Sequence, residues 1–395
     1  MKKIAPTLTY GLVHGSMWSF YGILLSFSSN FLYAYGFTDG QISLFLGLVT
    51  AASCGLQLLL GELVQRIPKL TVFGVLLAMG GSMICAGLAM GTELPLLPVA
   101  GLALGCCLLQ ALPAMGNAFG MDAIARGSNT NFGIARGCGS IAFSLIALLT
   151  GYLVSSMGVT AMALLTCANG AVFLLAVVLY HLTGEKGLAP QEKGKEQKKT
   201  DNFLKKNPLY CLFLLGCIFL QISHNTACNF LLQILSVKGG GAAEQGIATF
   251  VSAIMELPVM FGFGLLLKLM KCEHWLRLSA VFYVVKCLGL YLAQDPTGVY
   301  IAQATQLLGF AVYGIGTVHY TAKVVAADDT IRAQSYLASA TAIGGLVSSS
   351  TAGFICQLWG AQSMLLVFAL CAALGALILW LSIHLFSRTP KGSLV

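Results

Sequence analysis

Ionisable side chains are scarce in this sequence, and several stand where charge is most expensive. Arg136 lies in the stretch Asn131 to Leu145, NFGIARGCGSIAFSL, and no further charge occurs from Gly137 to Met157. A guanidinium cannot be deprotonated at any relevant pH and costs roughly 3 kcal/mol at the centre of a membrane helix, so inside a span it calls for a polar cavity. A guanidinium close enough to the cytoplasmic surface to snorkel would explain the same residues. Gly133, Ala135, Gly137, Gly139, Ser140 and Ala142 around it are small, which lets a neighbouring helix approach closely. Glu256, in SAIMELPVMFGFG, has no other charge between Glu244 and Lys268. A carboxyl group there can hold a proton when desolvated and carry charge when hydrated. Lys286, in FYVVKCLG, is its natural counter-ion on the next helix, and a purely structural ion pair is the competing reading.

Other polar residues extend these two positions. His224, Asn225, Asn229 and Gln233 belong to one apolar segment, and the last three share a face at a spacing of four. That face is expected to line a wet cavity, with interhelical hydrogen bonds as the alternative explanation. His319 stands among Tyr313, Tyr320 and Lys323, preceded by Gln303 and Gln306, and Asn117 adds an amide to the fourth span. His14 reads as a satisfied helix residue. Trp18, Phe20 and Tyr21 could stack on a ring-shaped solute or act as packing and interface anchors. Enzyme chemistry finds little support. No HExxH, GxSxG or P-loop spacing is present, and no carboxylate cluster stands where a metal would bind, so neither cofactor nor metal is expected.

The elements that must position these residues follow from composition. The chain is 57% hydrophobic and only 9% charged, against about 25% charged in soluble domains. Apolar segments of about 20 residues recur along nearly the whole length. The reading is an all-α membrane protein of twelve transmembrane helices in two pseudo-symmetric six-helix halves, residues 1–183 and 208–395. A lysine-rich linker, 184–207, joins them and is too polar to fold alone. Asp39-Gly40-Gln41-Ile42 at the start of the second span is echoed by Glu244-Gln245-Gly246-Ile247 at the start of the eighth, as expected for parallel repeats. The net charge of +8 is explained by distribution rather than nucleic acid: with the N-terminus cytoplasmic, nearly all Lys and Arg fall on or near that side, and only Lys238 falls clearly outside. Both termini and the linker are therefore expected in the cytoplasm. The thirteen cysteines lack CxxC pairs and read as packing residues.

With those residues in place, the chain resembles the major facilitator superfamily, and within it the lactose-permease-like and nucleoside-permease-like proton symporters. The resemblance covers nearly the whole chain and is sharpest from Ser128-Asn129 through Phe132-Gly133 to Ala135-Arg136 and Gly139, a segment whose arginine holds the sugar in the permease. The acidic partner that the permease places on its fourth helix falls near Ala118, beside Asn117, and is missing here. Glu256-Leu257-Pro258 with Lys286 is similar to the Glu and Arg pair of helices 8 and 9, lysine keeping the charge but not the planar two-point grip. His319-Tyr320 resembles the helix 10 histidine, and His224 falls where the permease has an aspartate. The permease's own His and Glu relay falls at Gln306 and Gly309. Gly61 to Arg66 is a worn copy of the superfamily's loop motif, with Gln65 in place of the usual Asp.

The expected function is alternating-access transport, with a site near the bilayer midplane between the halves. A proton gradient would drive uptake of a small polar solute such as a sugar, oligosaccharide or nucleoside. Glu256, Lys286 and His319 would couple the proton. Arg136, Asn117, His224, Asn225, Asn229, Gln233, Trp18 and Tyr21 would contact solute. The alternatives are proton-coupled efflux of amphipathic compounds and a non-transporting membrane sensor on the same scaffold. Partners are the solute, protons and the lipid bilayer. A monomer in a bacterial inner membrane is expected, with no nucleic acid bound.

Overall fold

The computed structural model describes residues 5–67, 69–184, 203–326 and 329–388, which are helices joined by short turns without a β-strand among them. The first segment is α1 (Ala5–Phe20), a π-helical turn (Tyr21–Leu25) and α2 (Ser28–Ala34). There follow α3 (Asp39–Arg66), α4 (Val72–Met90), α5 (Leu97–Ala125), α6 (Phe132–Met157) and α7 (Thr160–Gly184). The expected linker lies mostly outside the described residues. After it come α8 (Phe203–Lys206), α9 (Pro208–Asn229), α10 (Leu231–Ser236), α11 (Ala242–Ile254), α12 (Leu257–Leu269) and α13 (Cys272–Leu292). The chain closes with α14 (Pro296–Ala304), a 3-10 turn (Thr305–Leu307), α15 (Phe310–Val324) and α16 (Thr330–Arg388).

Ten helical segments among the described residues are long and apolar enough to cross a membrane. The longest, α16, runs 59 residues and turns back at Gly360, where φ is 79° and ψ 164°, so it supplies two passes. The interrupted segment 5–34 is the remaining long apolar stretch. The protein is thus an all-α, multi-pass membrane protein, with spans where the apolar runs place them. Caps fix several ends: Thr71 accepts from Gly74 N (3.1 Å), Asn131 from Ile134 N (3.1 Å) and Asp295 from Gly298 N (2.8 Å).

The helices group into two compact units. One contains Met1–Thr38, Phe45–Gly194 and Gly240–Ile254; the other contains Asp39–Leu44, Lys195–Gly239 and Met255–Val395. The two echoed segments are the pieces that group away from their sequence neighbours. In the first unit α11 lies along α6, where Gly151 and Gly246 bring the two backbones together, and Gln245 Nε2 donates to Ser26 O (2.5 Å). In the second unit the start of α3 is bonded to α16: Gly40 N donates to Gln357 Oε1 (2.8 Å) and Ser43 Oγ to Ser349 O (2.6 Å). Each unit also buries a tyrosine from its first long helix against a backbone carbonyl. Tyr10 OH donates to Gly116 O and Tyr210 OH to Ala333 O, each at 2.9 Å. The second unit's core gathers around Tyr210, Phe213, Tyr320, Leu276 and Leu379.

A methyl group at Gly353 would run into Asp39 O and Ser43 Cβ. Gly353→Ala should therefore cost about 1–3 kcal/mol by overpacking, read as a lower melting temperature of the detergent-solubilised protein. An unchanged melting temperature would show that this contact is loose.

Candidate functional site

In the first unit the chemistry is built where α1 meets α6. Gly139 makes this possible: a Cβ there would sit 2.6 Å from Trp18 Cδ1 and 3.3 Å from His14 O. The small residues expected to admit a neighbouring helix therefore do so, and α1 is that neighbour. The half-buried Arg136 guanidinium lies over the Trp18 ring, with Cζ 4.2 Å from its centroid, and donates to Ser140 Oγ at 3.3 Å. Trp18 in turn stacks on Tyr21, centroids 4.9 Å apart at 29°. Tyr21 opens the π-helical turn, in which Ser26 N reaches back to Tyr21 O (3.0 Å). Such turns recur at functional sites because they re-aim side chains within a helix. Arg136, Trp18 and Tyr21 are thus brought together as one cation-aromatic stack.

His14, one turn before Trp18, is fully buried between the edges of Tyr10 (4.7 Å) and Phe132 (5.5 Å), and neither ring nitrogen has a hydrogen-bond partner. It is not the satisfied helix residue expected from sequence. Trp18 Nε1 and Asn117 Oδ1 are likewise buried without a partner. The same unit therefore holds an indole N–H, an amide carbonyl and an imidazole with hydrogen-bonding capacity to spare.

Two spans of the second half of the chain break at the residues that matter. The helix expected from Ala243 to Met270 is interrupted between Ile254 and Leu257, at Met255-Glu256, with Pro258 in the first turn of α12. The helix expected from Gly298 to Ala326 is interrupted by the 3-10 turn carrying Gln306 and by Gly309. Gln306 joins the two breaks to α13. Lys286 Nζ donates to Gln306 Oε1 (2.5 Å), and Gln306 Nε2 donates to Glu256 Oε1 (2.9 Å). The direct contact expected between Glu256 and Lys286 is thus a three-member chain with an amide in the middle. Both Lys286 (5% exposed) and Gln306 (3% exposed) are buried. The charges at either end fix the amide orientation, because a flip would set oxygen against carboxylate and N–H against ammonium.

His224 belongs with this chain. Its ring lies flat on Phe310, centroids 4.1 Å apart at 6°, and Nε2 is 3.7 Å from Cys228 Sγ. His224, Lys286, Gln306, Tyr283 and Phe310 line a cavity of about 10 Å³, room for about one water molecule. The other amides of the expected wet face are committed elsewhere. Asn225 Nδ2 donates to Gln221 O in its own helix (2.8 Å). Asn229 Nδ2 donates to Ser349 Oγ on α16 (3.3 Å), and Gln233 Nε2 to Asp39 Oδ1 (3.1 Å). The helix stops at Asn229 and restarts at Leu231, so the spacing of four does not carry through to Gln233. For Asn229 and Gln233, interhelical hydrogen bonding is the observed use. His319 is also a correction. It is exposed, with its ring 5.4 Å from Phe263, and lies 13 residues beyond Gln306 along the helix, so it takes no part in the Glu256 chain.

Sequence reasoning counted Gln306 among polar residues of the tenth span and at the permease's relay position, without linking it to Glu256, and took Ser140 for packing. The signals for Gln306 are Pro258 just after Glu256 and Gly309 just after Gln306, which mark both helices as breakable.

The chain matches the sequence profile of the Major Facilitator Superfamily over residues 9–325, and it belongs to that family. It is therefore a membrane transporter and not an enzyme. Among curated sequences it is similar to a Deinococcus radiodurans protein described as "Putative sugar efflux transporter", 27% identical over 248 residues, which are 59% of this chain and 61% of that protein. The chain thus spans less than two thirds of that relative. Among solved structures it superposes on a point-mutant form of the nucleoside transporter NupG, with a TM-score of 0.75 and 14% identity over 95% of this chain and 99% of that one. An inward-facing, occupied bacterial homologue of the human lysosomal transporter Spinster gives 0.70 and 14% over 99% and 97%. Both likenesses establish the fold.

Gln306→Leu should strand two charged groups and lower stability by about 2 kcal/mol. A double-mutant cycle with Lys286→Met, read by thermal melting, should show a coupling of about 1 kcal/mol or more; simple additivity would mean that the amide bridge does not form in the membrane.

Proposed function

We propose that this transporter is a proton-driven symporter that takes up a small polar solute of the sugar or nucleoside class. The observation that carries the reading is the Glu256–Gln306–Lys286 chain, which sets a carboxylate at the broken point of one span against a buried ammonium through an amide at the broken point of another. Discontinuous helices in transporters gather coupling ions because unwound backbone and an adjacent carboxylate offer polar ligands inside the bilayer. Glu256 holds the coupled proton. Gln306 passes the loss of its charge to Lys286, and His224 closes the cavity beside them. On the solute side, Trp18 and Tyr21 offer an aromatic face, Arg136 a guanidinium, and Asn117 an acceptor. This set suits a ring bearing hydroxyl or carbonyl groups. The printed names of the similar proteins, a nucleoside transporter and a sugar efflux transporter, fit that solute class. The working unit is the monomer in a bacterial inner membrane, with both termini cytoplasmic and the proton gradient as energy source.

Efflux is the second reading, and the Deinococcus relative's description favours it. The two separate in energised bacterial cells given labelled sugars and nucleosides with and without a protonophore. Symport gives accumulation that the protonophore abolishes. Reduced accumulation that the protonophore restores establishes efflux instead. Glu256→Gln should abolish accumulation against a gradient while leaving solute exchange intact, and retained accumulation would remove Glu256 from the coupling step. Arg136→Gln should raise the apparent KM at least tenfold, and an unchanged KM would take the guanidinium out of the solute site.

A further inference from the structure

Along the chain, the turns that alternate with the basic ones are almost free of Lys and Arg among the described residues. Those at 35–38, 91–96, 158–159 and 293–295 contain none. The turn between α10 and α11 is the exception, because it carries Lys238. A lone cation at that end of the helices opposes the charge asymmetry of the rest of the chain, and its surroundings give it a use.

Lys238 is only 6% exposed. Its Nζ donates to Ala293 O (2.5 Å) at the C-terminal end of α13. With its amide turned to satisfy both neighbours, Gln362 accepts from the same Nζ (3.3 Å) and donates to Tyr291 O (3.3 Å). A helix cap alone explains the first bond. It does not explain the cavity of about 390 Å³ that opens over the ammonium, lined by Lys238, Tyr291, Gln294, Gln362 and the flanking Val237 and Leu292. Two of the three ammonium donors are accounted for, and the amides of Gln294 and Gln362 stand at the rim. The lining also includes two outward-facing apolar side chains: Leu292 is 70% and Val237 55% exposed. Trp359, three residues before Gln362, is exposed in the manner of an interfacial aromatic.

A buried cation with amide donors on one side and exposed aliphatic side chains on the other matches one class of ligand, in which an anionic oxygen group is joined to hydrocarbon. We propose that the Lys238 cavity binds the phosphodiester headgroup of a membrane phospholipid, with Lys238 and the amides of Gln294 and Gln362 on the phosphate oxygens and the acyl chains descending past Leu292 and Val237. Burial pulls the Lys238 ammonium below its usual range, and a phosphate beside it offsets that cost by favouring the charged form. The site is separate from the Glu256 chain, so it stands whether or not the coupling reading is right.

The test uses the full-length protein in detergent, titrated with phosphatidylglycerol, with a diacylglycerol of the same acyl chains, and with inorganic phosphate. Binding is read by native mass spectrometry and by the rise in melting temperature. Wild type should retain one phosphatidylglycerol and gain stability, whereas diacylglycerol and inorganic phosphate should do neither. Lys238→Gln should weaken phosphatidylglycerol retention at least tenfold, and Lys238→Arg should restore most of it. Because Lys238→Gln also removes a helix cap, Gln294→Glu is the second variant. It leaves the bonds of Lys238 to Ala293 and Gln362 in place and should weaken retention comparably, with no change in the lipid-free melting temperature. Equal retention by wild type and both variants would overturn the proposal, as would equal stabilisation by diacylglycerol. Stabilisation by inorganic phosphate alone would make the cavity an anion site and overturn the lipid assignment.

Discussion

The bilayer supplies no water to an exposed polar group, so every break in a helix and every buried charge must be met from within the protein. The second unit turns on this constraint. Breaking α11 from α12 and α14 from α15 releases backbone groups that cost several kcal/mol each if left alone. At the second break Ser279 Oγ donates to Gly309 O (2.8 Å) and the backbone itself closes Gly309 N onto Thr305 O (3.0 Å), while Gln306 meets the side chains of Lys286 and Glu256. Removing the amide would leave a carboxylate and an ammonium facing each other without a mediator. Change in the charge of either end therefore changes what holds both interrupted spans.

The first unit meets the same constraint by other means. Its intramembrane cation rests on an aromatic face and a hydroxyl, Trp18 and Ser140, in a contact worth about 0.5–2 kcal/mol according to how dry it is. The unit also keeps polar atoms unpaired at His14, Trp18 and Asn117. The two units thus hold their intramembrane charges differently, one against an aromatic face and a hydroxyl and the other through a bridging amide.

Much of this was legible in the sequence, for definite reasons. Spans were readable because hydrophobic length is set by the bilayer, and their ends at Asp39, Met90 and Leu292 fall close to the turn residues that flank them. The small residues around Arg136 predicted a close helix, and Glu256 and Lys286 were read as a direct pair where Gln306 stands between them. What could not be read was anything that depends on where a helix breaks. Gln306 meets Glu256 across two helices, a tertiary outcome linking residues fifty positions apart. Gln233 left its expected face because the helix ends at Asn229, and His319 was judged by its neighbours in sequence although its own helix carries it away from the charges. His14 was misread because its lack of a partner depends on α6, more than a hundred residues downstream.

The turn within α16 consists of Gly360, in a backbone region open essentially to glycine alone. A joint of one residue has no slack. The two passes it connects cannot slide far past each other lengthwise, because no loop lies between them to take up the displacement. Their phase is equally strict: adding one residue at the joint would turn the final pass by about 100° and present a different stripe of side chains to its neighbours.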